Sequence, residues 1–488
     1  MTRIASGAML ALVLASVLVF ALDIQPVRAS GTIYIRTDGS IDPPTVSIRR
    51  DGDVYTFTAN ISDPIIVERS NVVVDGNAYT LQRSGAYYDS KGLGLTGKSS
   101  VRIRNTRIAG FHYGIWLSSC SNSVVSGNNI TGDGYGVYLG SSGNNSIDGN
   151  NIALSSGHGV YLDSSDYNDV SGNKIAADSG YGVSLYSGSG YNSVTGNEIA
   201  ANSGYGVYVE WYSDYNSVVG NNITASGNFG VYVGYCDFNS VSGNNIAASG
   251  EYAVFLDSSD HDNVSGNNIT ARSGHGVYLD YYSDYNRIGG NNITATDGHG
   301  VFLDSNSDYN SVIGNNITGC NGYGIYLYLH SDYNSVTGNS VTGNGYGIYL
   351  YECSDNTICH NNLVDNTVQA YVYPPAPHVW DYGYPSGGNY WSDYNGTDAD
   401  SDGIGDTPYV IDANNKDYYP LMNLYWIPAD VNHDLVVNFF DVVIITGAYG
   451  LTPASPNWNP RADIAEPFGK IDIFDIVLCT SHYGEKYP

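Results

Sequence analysis

Asp214-Tyr215-Asn216-Ser217-Val218-Val219-Gly220-Asn221-Asn222-Ile223-Thr224-Ala225-Ser226-Gly227-Asn228-Phe229-Gly230-Val231-Tyr232-Val233 is one copy of a unit that recurs along most of the chain. Its central tetrad, Gly-Asn-Asn-Ile or a close variant, places glycines at Gly127, Gly149, Gly172, Gly196, Gly220, Gly243, Gly266, Gly290, Gly314 and Gly338, and His360 takes the slot in a last variant. Neighbouring anchors lie 22 to 24 residues apart. A near-constant period of this length is the signature of a solenoid. Gly or Asn interrupts every apolar run after a few residues, which is too soon for a helix. Short β runs separated by turns at this period predict one coil of a right-handed parallel β-helix. The fold class is therefore all-β, with coils of about 22–24 residues.

Side-chain alternation gives the inside of the coil. Val207 and Val209 share one face and Tyr208 takes the other, while Val218 and Ile223 supply the aliphatics of the preceding runs. Stacked at ~4.8 Å, the coils would align equivalent Val, Ile and Leu in columns and build a rod on the order of 50 Å long. The tetrad asparagines are expected to stack as a ladder at a turn. Trp116, Tyr138, Tyr161, Tyr208, Tyr232, Phe255, Tyr278, Phe302, Tyr326 and Tyr349 hold the outward slot, with Ser184 the exception. Such a ladder could stack on sugars or a partner, or its rings could pack on one another. A second row, Asp166, Asp214, Asp237, Asp260, Asp284, Asp308 and Asp332, precedes the Tyr-Asn pair. Like charges at this spacing repel, so the row calls for turn amides or counter-charge.

The whole chain has 488 residues and a net charge of −29, with 59 glycines and 45 tyrosines. That much negative charge disfavours nucleic acid and anionic lipid as partners. Met1 to Ala29 reads as a signal peptide, with an apolar run from Ala8 to Leu22 and small residues before Ser30, or as an uncleaved N-terminal anchor. No other segment is apolar enough to span a membrane. A secreted or extracellular, cell-surface protein follows. Of six cysteines, Cys120, Cys236 and Cys353 share one repeat slot and read as small buried fillers. Cys353 and Cys359 are the pair close enough in sequence to bridge. Asn60, Asn129, Asn222, Asn268, Asn292, Asn316 and Asn395 begin Asn-x-Ser/Thr sequons, which surface glycosylation would use unless the ladder buries them.

The lead-in from Gly31 to Leu117, the repeats, and Gly388-Asn389-Tyr390-Trp391-Ser392-Asp393-Tyr394 resemble secreted archaeal β-helix proteins of the NosD-type periplasmic copper-binding family, which shares the pectin-lyase-like fold. The resemblance spans roughly 31–425 and implies the fold; that fold hosts lyases, hydrolases, epimerases and non-enzymes. It also implies copper binding, for which His275 and His299, in adjacent coils, are the candidate ligands; the alternative is a packed histidine in an aromatic slot. Gly-His-Gly at 157–159, 274–276 and 298–300 is similar to a motif of pectin-hydrolysing enzymes, but Tyr fills the same slot at Tyr135, Tyr181, Tyr205, Tyr323 and Tyr346. The paired aspartates and Arg-x-Lys of those enzymes are missing. Between Gly127 and His360 the basic residues are Lys174, Arg272 and Arg287, so no proton acceptor converges with carboxylates and no catalytic residue is assigned.

After Leu363 the repeat stops, and Pro374-Pro375-Ala376-Pro377 breaks the chain. Asp398, Asp400, Asp402 and Asp406, with the Ile404 carbonyl and Gly403 at the sixth position, have the spacing of a calcium loop. Tyr418-Tyr419-Pro420-Leu421 is placed to close the open end of the rod. Residues 438–446 recur as 472–480 with an offset of 34. Asp430, Asn432, Asp434, Val436, Asn438 and Asp441 stand at ligand positions one, three, five, seven, nine and twelve. This pair resembles a dockerin, which implies calcium as cofactor and a cohesin-like or other surface protein as partner. The second loop keeps Asp463, Asp472 and Asp475, with Glu466 the substitute ligand.

The expected organisation is a signal peptide (1–29), an N-terminal cap with the first coils (30–110), β-helix repeats (111–372), an Asp-rich calcium-loop segment with the C-terminal cap (373–425), and a small α-helical dockerin-like domain (426–488). The expected function is a non-catalytic carbohydrate- or protein-binding rod. A dockerin-tethered polysaccharide lyase or glycoside hydrolase is the alternative, and metal delivery a third.

Overall fold

Each coil is built from three short strands. The computed structural model describes residues 31–83, 89–425, 429–431, 437–453, 455–459, 462–465 and 469–484. In the coil quoted above the strands are Ser217–Val219, Asn222–Ala225 and Phe229–Gly234. Each pairs in parallel with its equivalent one coil later, with Val218 opposite Val241, Ile223 opposite Ile246 and Val231 opposite Val254. The first strands of the coils form a sheet of 15 among the described residues. The second and third lie in one sheet of 28, because Arg107–Ser118 and Asn129–Gly140 run through both faces. The protein is a parallel β-helix, as the period predicts. The signal-peptide segment lies outside the described residues.

The interior is the expected set of columns. Val207, Val209, Val218 and Ile223 are buried, and Ile199, Ile223, Ile246, Ile269, Ile293 and Ile317 line up coil after coil. Each such side chain contributes about 1.5–3 kcal/mol by burial. The tetrad glycines turn the corner at φ near +62°, a region costly to any residue with a Cβ. Around the coil, Gly206 is needed for a different reason: a Cβ there would lie 2.4 Å from the Ile223 Cγ2 and 2.5 Å from the Gly230 carbonyl oxygen. The second glycine of the motif is thus favoured by close packing, and Ala253 is the one larger residue in that slot among the coils from Gly159 to Gly347.

Two asparagine ladders pin the corners. In the first, the backbone N–H and Nδ2 of Asn267 both donate to Asn291 Oδ1 at 2.9 Å, and Nδ2 also donates to the Val241 carbonyl at 2.8 Å. The ladder runs on to Asn389, whose N–H donates to buried Asp417. In the last variant Asn361 and Asn362 are both buried, whereas in the Gly-Asn-Asn tetrads only the first asparagine is inside. The second, which starts the sequons at Asn129, Asn222, Asn268 and Asn292, is exposed, so the ladder does not bury those sequons. Its side chain points out of the strand because it alternates with the inward Ile.

All six cysteines are free and buried. Cys353 and Cys359 do not bridge; each fills its own place in the core. Strand pairing also extends past Leu363. Val368–Tyr373 adds to Tyr346–Tyr351, and Tyr390–Trp391 adds to Asn362–Leu363. Buried Trp380 and Trp391 then close the end, with Leu421 donating its N–H to the Asn389 carbonyl. At the other end, the antiparallel pair Ile48–Asp51 and Val54–Phe57 precedes the parallel sheet.

Two helices follow, Phe439–Gly447 and Ile473–Ser481, each opened by a capping box. They share a separate small core of Ala429, Val431, Val437, Ile445, Ala448, Ala462, Ile471 and Cys479. No helix among the described residues is long and apolar enough to cross a membrane.

Candidate functional site

The outward ladder from Trp116 to Tyr349 is in register as expected, and Tyr371 extends it. Its rings are not free. A second row from the Gly-aromatic-Gly slot, including Tyr205, Phe229, Tyr252, His275, His299 and Tyr323, packs against it. Tyr232, Tyr278 and Phe302 are only 7%, 8% and 9% exposed. Lys91 covers the Trp116 ring at 4.0 Å. The hydroxyls of Tyr138, Tyr232 and Tyr278 donate to Asp163, Asp257 and Asp304 at 3.1–3.2 Å. Burial, and then the neighbouring carboxylates, push those three phenols up from their usual range. Burial likewise raises Asp257 and Asp304.

A different ladder is open to solvent. Tyr167, Tyr191, Tyr215, Phe238, His261, Tyr285, Tyr309 and Tyr333 stack continuously with centroids 4.8–5.2 Å apart. The end members Tyr167 and Tyr333 are 56% and 52% exposed. All eight sit on a turn at φ of 56–59°, which throws the side chain away from the rod. Beside them runs the aspartate row. Each Oδ1 accepts the N–H of the next coil's aspartate, as from Asp214 through Asp237, Asp260, Asp284 and Asp308 to Asp332. The row is therefore held by amides of the adjacent coil, not of its own turn. The Tyr-Asn pair was visible in the repeat. The signal that its tyrosine is exposed is the conserved spacing between one inward Ser and one inward Asn, which leaves it no place inside.

His275 and His299 do come together, with rings 4.5 Å apart and 6° from parallel. Each Nδ1 accepts a backbone N–H from the next coil, from His299 at 3.1 Å and Tyr323 at 3.0 Å. Each ring is thus a neutral imidazole carrying its proton on Nε2. Burial pushes them down, to about 3 and about 4.

The acidic loop gathers Asp398, Asp400 and Asp402, with one carboxylate oxygen of each within 4.8 Å of the others. Gly403 takes φ +91°. Asp398 accepts the N–H groups of Asp402 and Gly403, while Asp406 Oδ2 accepts from Thr397 and Ala399 and does not join the three. Ile404 pairs with Leu421 at the rod's end.

In the helical pair, Asn432, Asp434, Val436 and Glu466 lie outside the described residues. Asp430 is buried. Asn438 and Asp472 cap the helices, and Asp441 and Asp475 accept their N–H groups at 2.8 and 2.7 Å. Asp475 also accepts from Ile464 and Ala465. Asp463 Oδ2 accepts from Gly469, and its buried Oδ1 has no hydrogen-bond partner.

Residues 46–226, 211–293 and 230–396 match the family described as periplasmic copper-binding protein (NosD). The chain belongs to the NosD family. No curated protein matches it. Among solved structures this NosD-family chain is similar to the A-module of a mannuronan C-5 epimerase of Azotobacter vinelandii, at 15% identity over 65% of this chain and 89% of that one, with a TM-score of 0.43. It is also similar to the catalytic domain of an alpha-1,3-glucanase, at 13% identity over 76% and 71%, with a TM-score of 0.33. A tailspike protein of an E. coli bacteriophage matches at 13% over 65% and 63%, with a TM-score of 0.37. At such identities the likeness is one of fold.

Copper calls for imidazole, thiolate or thioether donors in one place. Among the described residues the one group of three or more candidate ligand side chains is the hard-oxygen set Asp398, Asp400 and Asp402. The thiols are buried, and burial pushes those of Cys120, Cys236 and Cys353 up, away from the thiolate a metal needs. The histidine pair keeps its Nδ1 atoms on the backbone. The described residues do not fit copper.

Proposed function

We propose that this NosD-family protein is a secreted or cell-surface binding rod that holds a linear carbohydrate along the corner built by the exposed ring stack and the aspartate row. The observation carrying this reading is the uninterrupted exposed stack from Tyr167 to Tyr333. Its rings face one another, so they present edges and hydroxyls rather than open faces. A polymer lying along the rod would meet one ring edge at every coil and one carboxylate at every coil but that of Tyr191, where Gly190 holds the aspartate slot, and Tyr is well suited to such half-apolar, half-polar contact. The test is glycan-array binding by the whole protein and by Tyr215→Ala/Tyr285→Ala. Loss of binding in the folded variant supports the reading; undiminished binding removes it.

A hydrolytic reading has one observation in its favour. Asp257, Asp280 and Asp304 occupy the same slot in three successive coils, two of them raised by burial. Product release from polysaccharides that is abolished by Asp280→Asn would establish it.

The C-terminal pair is the attachment point in this account. Phe439, Phe440 and Val443 of the first helix and Ile473, Phe474 and Val477 of the second are all exposed at equivalent positions. That apolar face suits docking to a cohesin-like or other surface protein. Calcium would be held by the acidic loops: Asp398, Asp400 and Asp402 offer hard oxygens at the end of the rod, and the unpartnered Asp463 Oδ1 offers one in the pair. Calcium removal with EGTA is expected to lower the Tm and to unfold 426–488 first, followed by differential scanning calorimetry and limited proteolysis; an unchanged melt contradicts it.

A further inference from the structure

The second asparagine ladder contains one residue that is not an amide. It runs through Asn145, Asn168, Asn192, Asn216, Asn239, Asp262, Asn286, Asn310, Asn334 and Asn356. At every rung Oδ1 accepts the N–H of the preceding rung; at most rungs Nδ2 donates to a carbonyl of the preceding coil, while Asn216 and Asn239 donate within their own turns, to the Ser213 and Asp237 carbonyls. Asn286 donates to Ser259 at 2.8 Å, Asn310 to Ser283 at 2.9 Å and Asn168 to Ser142 at 2.9 Å. Asp262 keeps the first half of this pattern: its Oδ1 accepts from Asn239 at 2.6 Å, and its own N–H donates to Asn286 at 2.7 Å. Its Oδ2, in the place of the amide nitrogen, is buried with no partner. The residue equivalent to Ser259 in the preceding coil is Cys236, so by the pattern of Asn286 and Asn310 the group that would face this oxygen is a carbonyl, not a donor.

We propose that Asp262 stands in the native rod as a neutral carboxylic acid whose Oδ2–H donates to the Cys236 carbonyl, and that its loss of the proton at rising pH weakens this one joint between coils. One proton is taken up from solvent on folding, and no other bond changes. An ionised carboxylate there would be buried, facing a carbonyl, without a donor. Burial is the first cause raising this group well above the carboxylate range, and Asp237 and Asp260 add to it. The titratable and charged groups around the rung are those two carboxylates, the Cys236 thiol of the preceding coil, His261 on the outer stack, and Arg287, whose backbone N–H donates to the Asp262 carbonyl and whose side chain is exposed. The sign is the reverse of the common carboxylate case. With its folded pKa above the unfolded one, Asp262 contributes fully at acid pH, and the contribution is lost as pH rises from the ordinary aspartate value toward the raised one.

The experiment compares Asp262→Asn with the unaltered protein. The variant restores the amide, so a Tm gain of about 2–4 °C is expected at about pH 8, shrinking toward zero at about pH 4. The infrared difference spectrum at neutral pH should show a protonated-carboxyl band in the unaltered protein that the variant lacks. Asn286→Asp, which adds a second carboxyl to the ladder, should lose Tm at neutral pH and regain it in acid. Equal melting of Asp262→Asn and the unaltered protein at both pH values, together with no carboxyl band, would overturn the proposal.

Discussion

The rod carries the same ring chemistry twice, and the two copies do different things. Around Tyr278 the rings are sandwiched by a second row, and their hydroxyls are tied to carboxylates. The Tyr285 ring stacks on its two neighbours in the row and is 53% exposed. The two tyrosines are seven residues apart in one coil. Asn267 and Asn268 repeat the contrast at the closest possible range, one inside the ladder and one outside. Periodicity aligns equivalent residues, whereas coverage depends on what the next strand or turn lays over them. The covered copies therefore belong to stability, and the open copies are the ones the proposed function assigns to binding.

That division can be broken most easily at the asparagines. Asn267→Ala would strip the acceptor from Asn244 and the donor from the Val241 carbonyl, both in the buried ladder. The expected cost is about 3–5 kcal/mol by chemical denaturation, whereas Asn268→Ala should stay within about 0.5 kcal/mol. Similar losses in the two variants would refute the inside–outside distinction. The aromatic pair sharpens it with a smaller effect. Tyr278→Ala should cost about 2–4 kcal/mol, because it leaves a gap between two packed rows, and Tyr285→Ala under about 1 kcal/mol. The reverse order would mean that the outer stack, not the inner rows, stiffens the coil.

Much of this was legible in the chain. The constant spacing of Gly127 through Gly338 was enough for the β-helix, and alternation placed Val207, Val209, Val218 and Ile223 inside. Alternation could not say that Tyr205 and its equivalents lean across Tyr208 and its equivalents, since that packing lies between rows of separate residues. The strand Val368–Tyr373 keeps the pairing after the Gly-Asn-Asn signal has gone, because only the backbone is needed to add a strand. The calcium spacing identified Asp398, Asp400 and Asp402 as neighbours, while Asp406 turned to bond the loop's own backbone. Asp262 takes the Asn slot of the repeat's Asp-Tyr-Asn; that its second oxygen is buried without a partner emerged only from the ladder it interrupts.

The most direct test of the account is ligand binding measured in parallel on two folded variants: Tyr215→Ala/Tyr285→Ala in the open stack, and Tyr278→Phe, which keeps the covered ring and removes its hydroxyl. The account predicts that the first loses glycan binding at an unchanged Tm while the second binds like the unaltered protein. Binding retained by the first and lost by the second would contradict it.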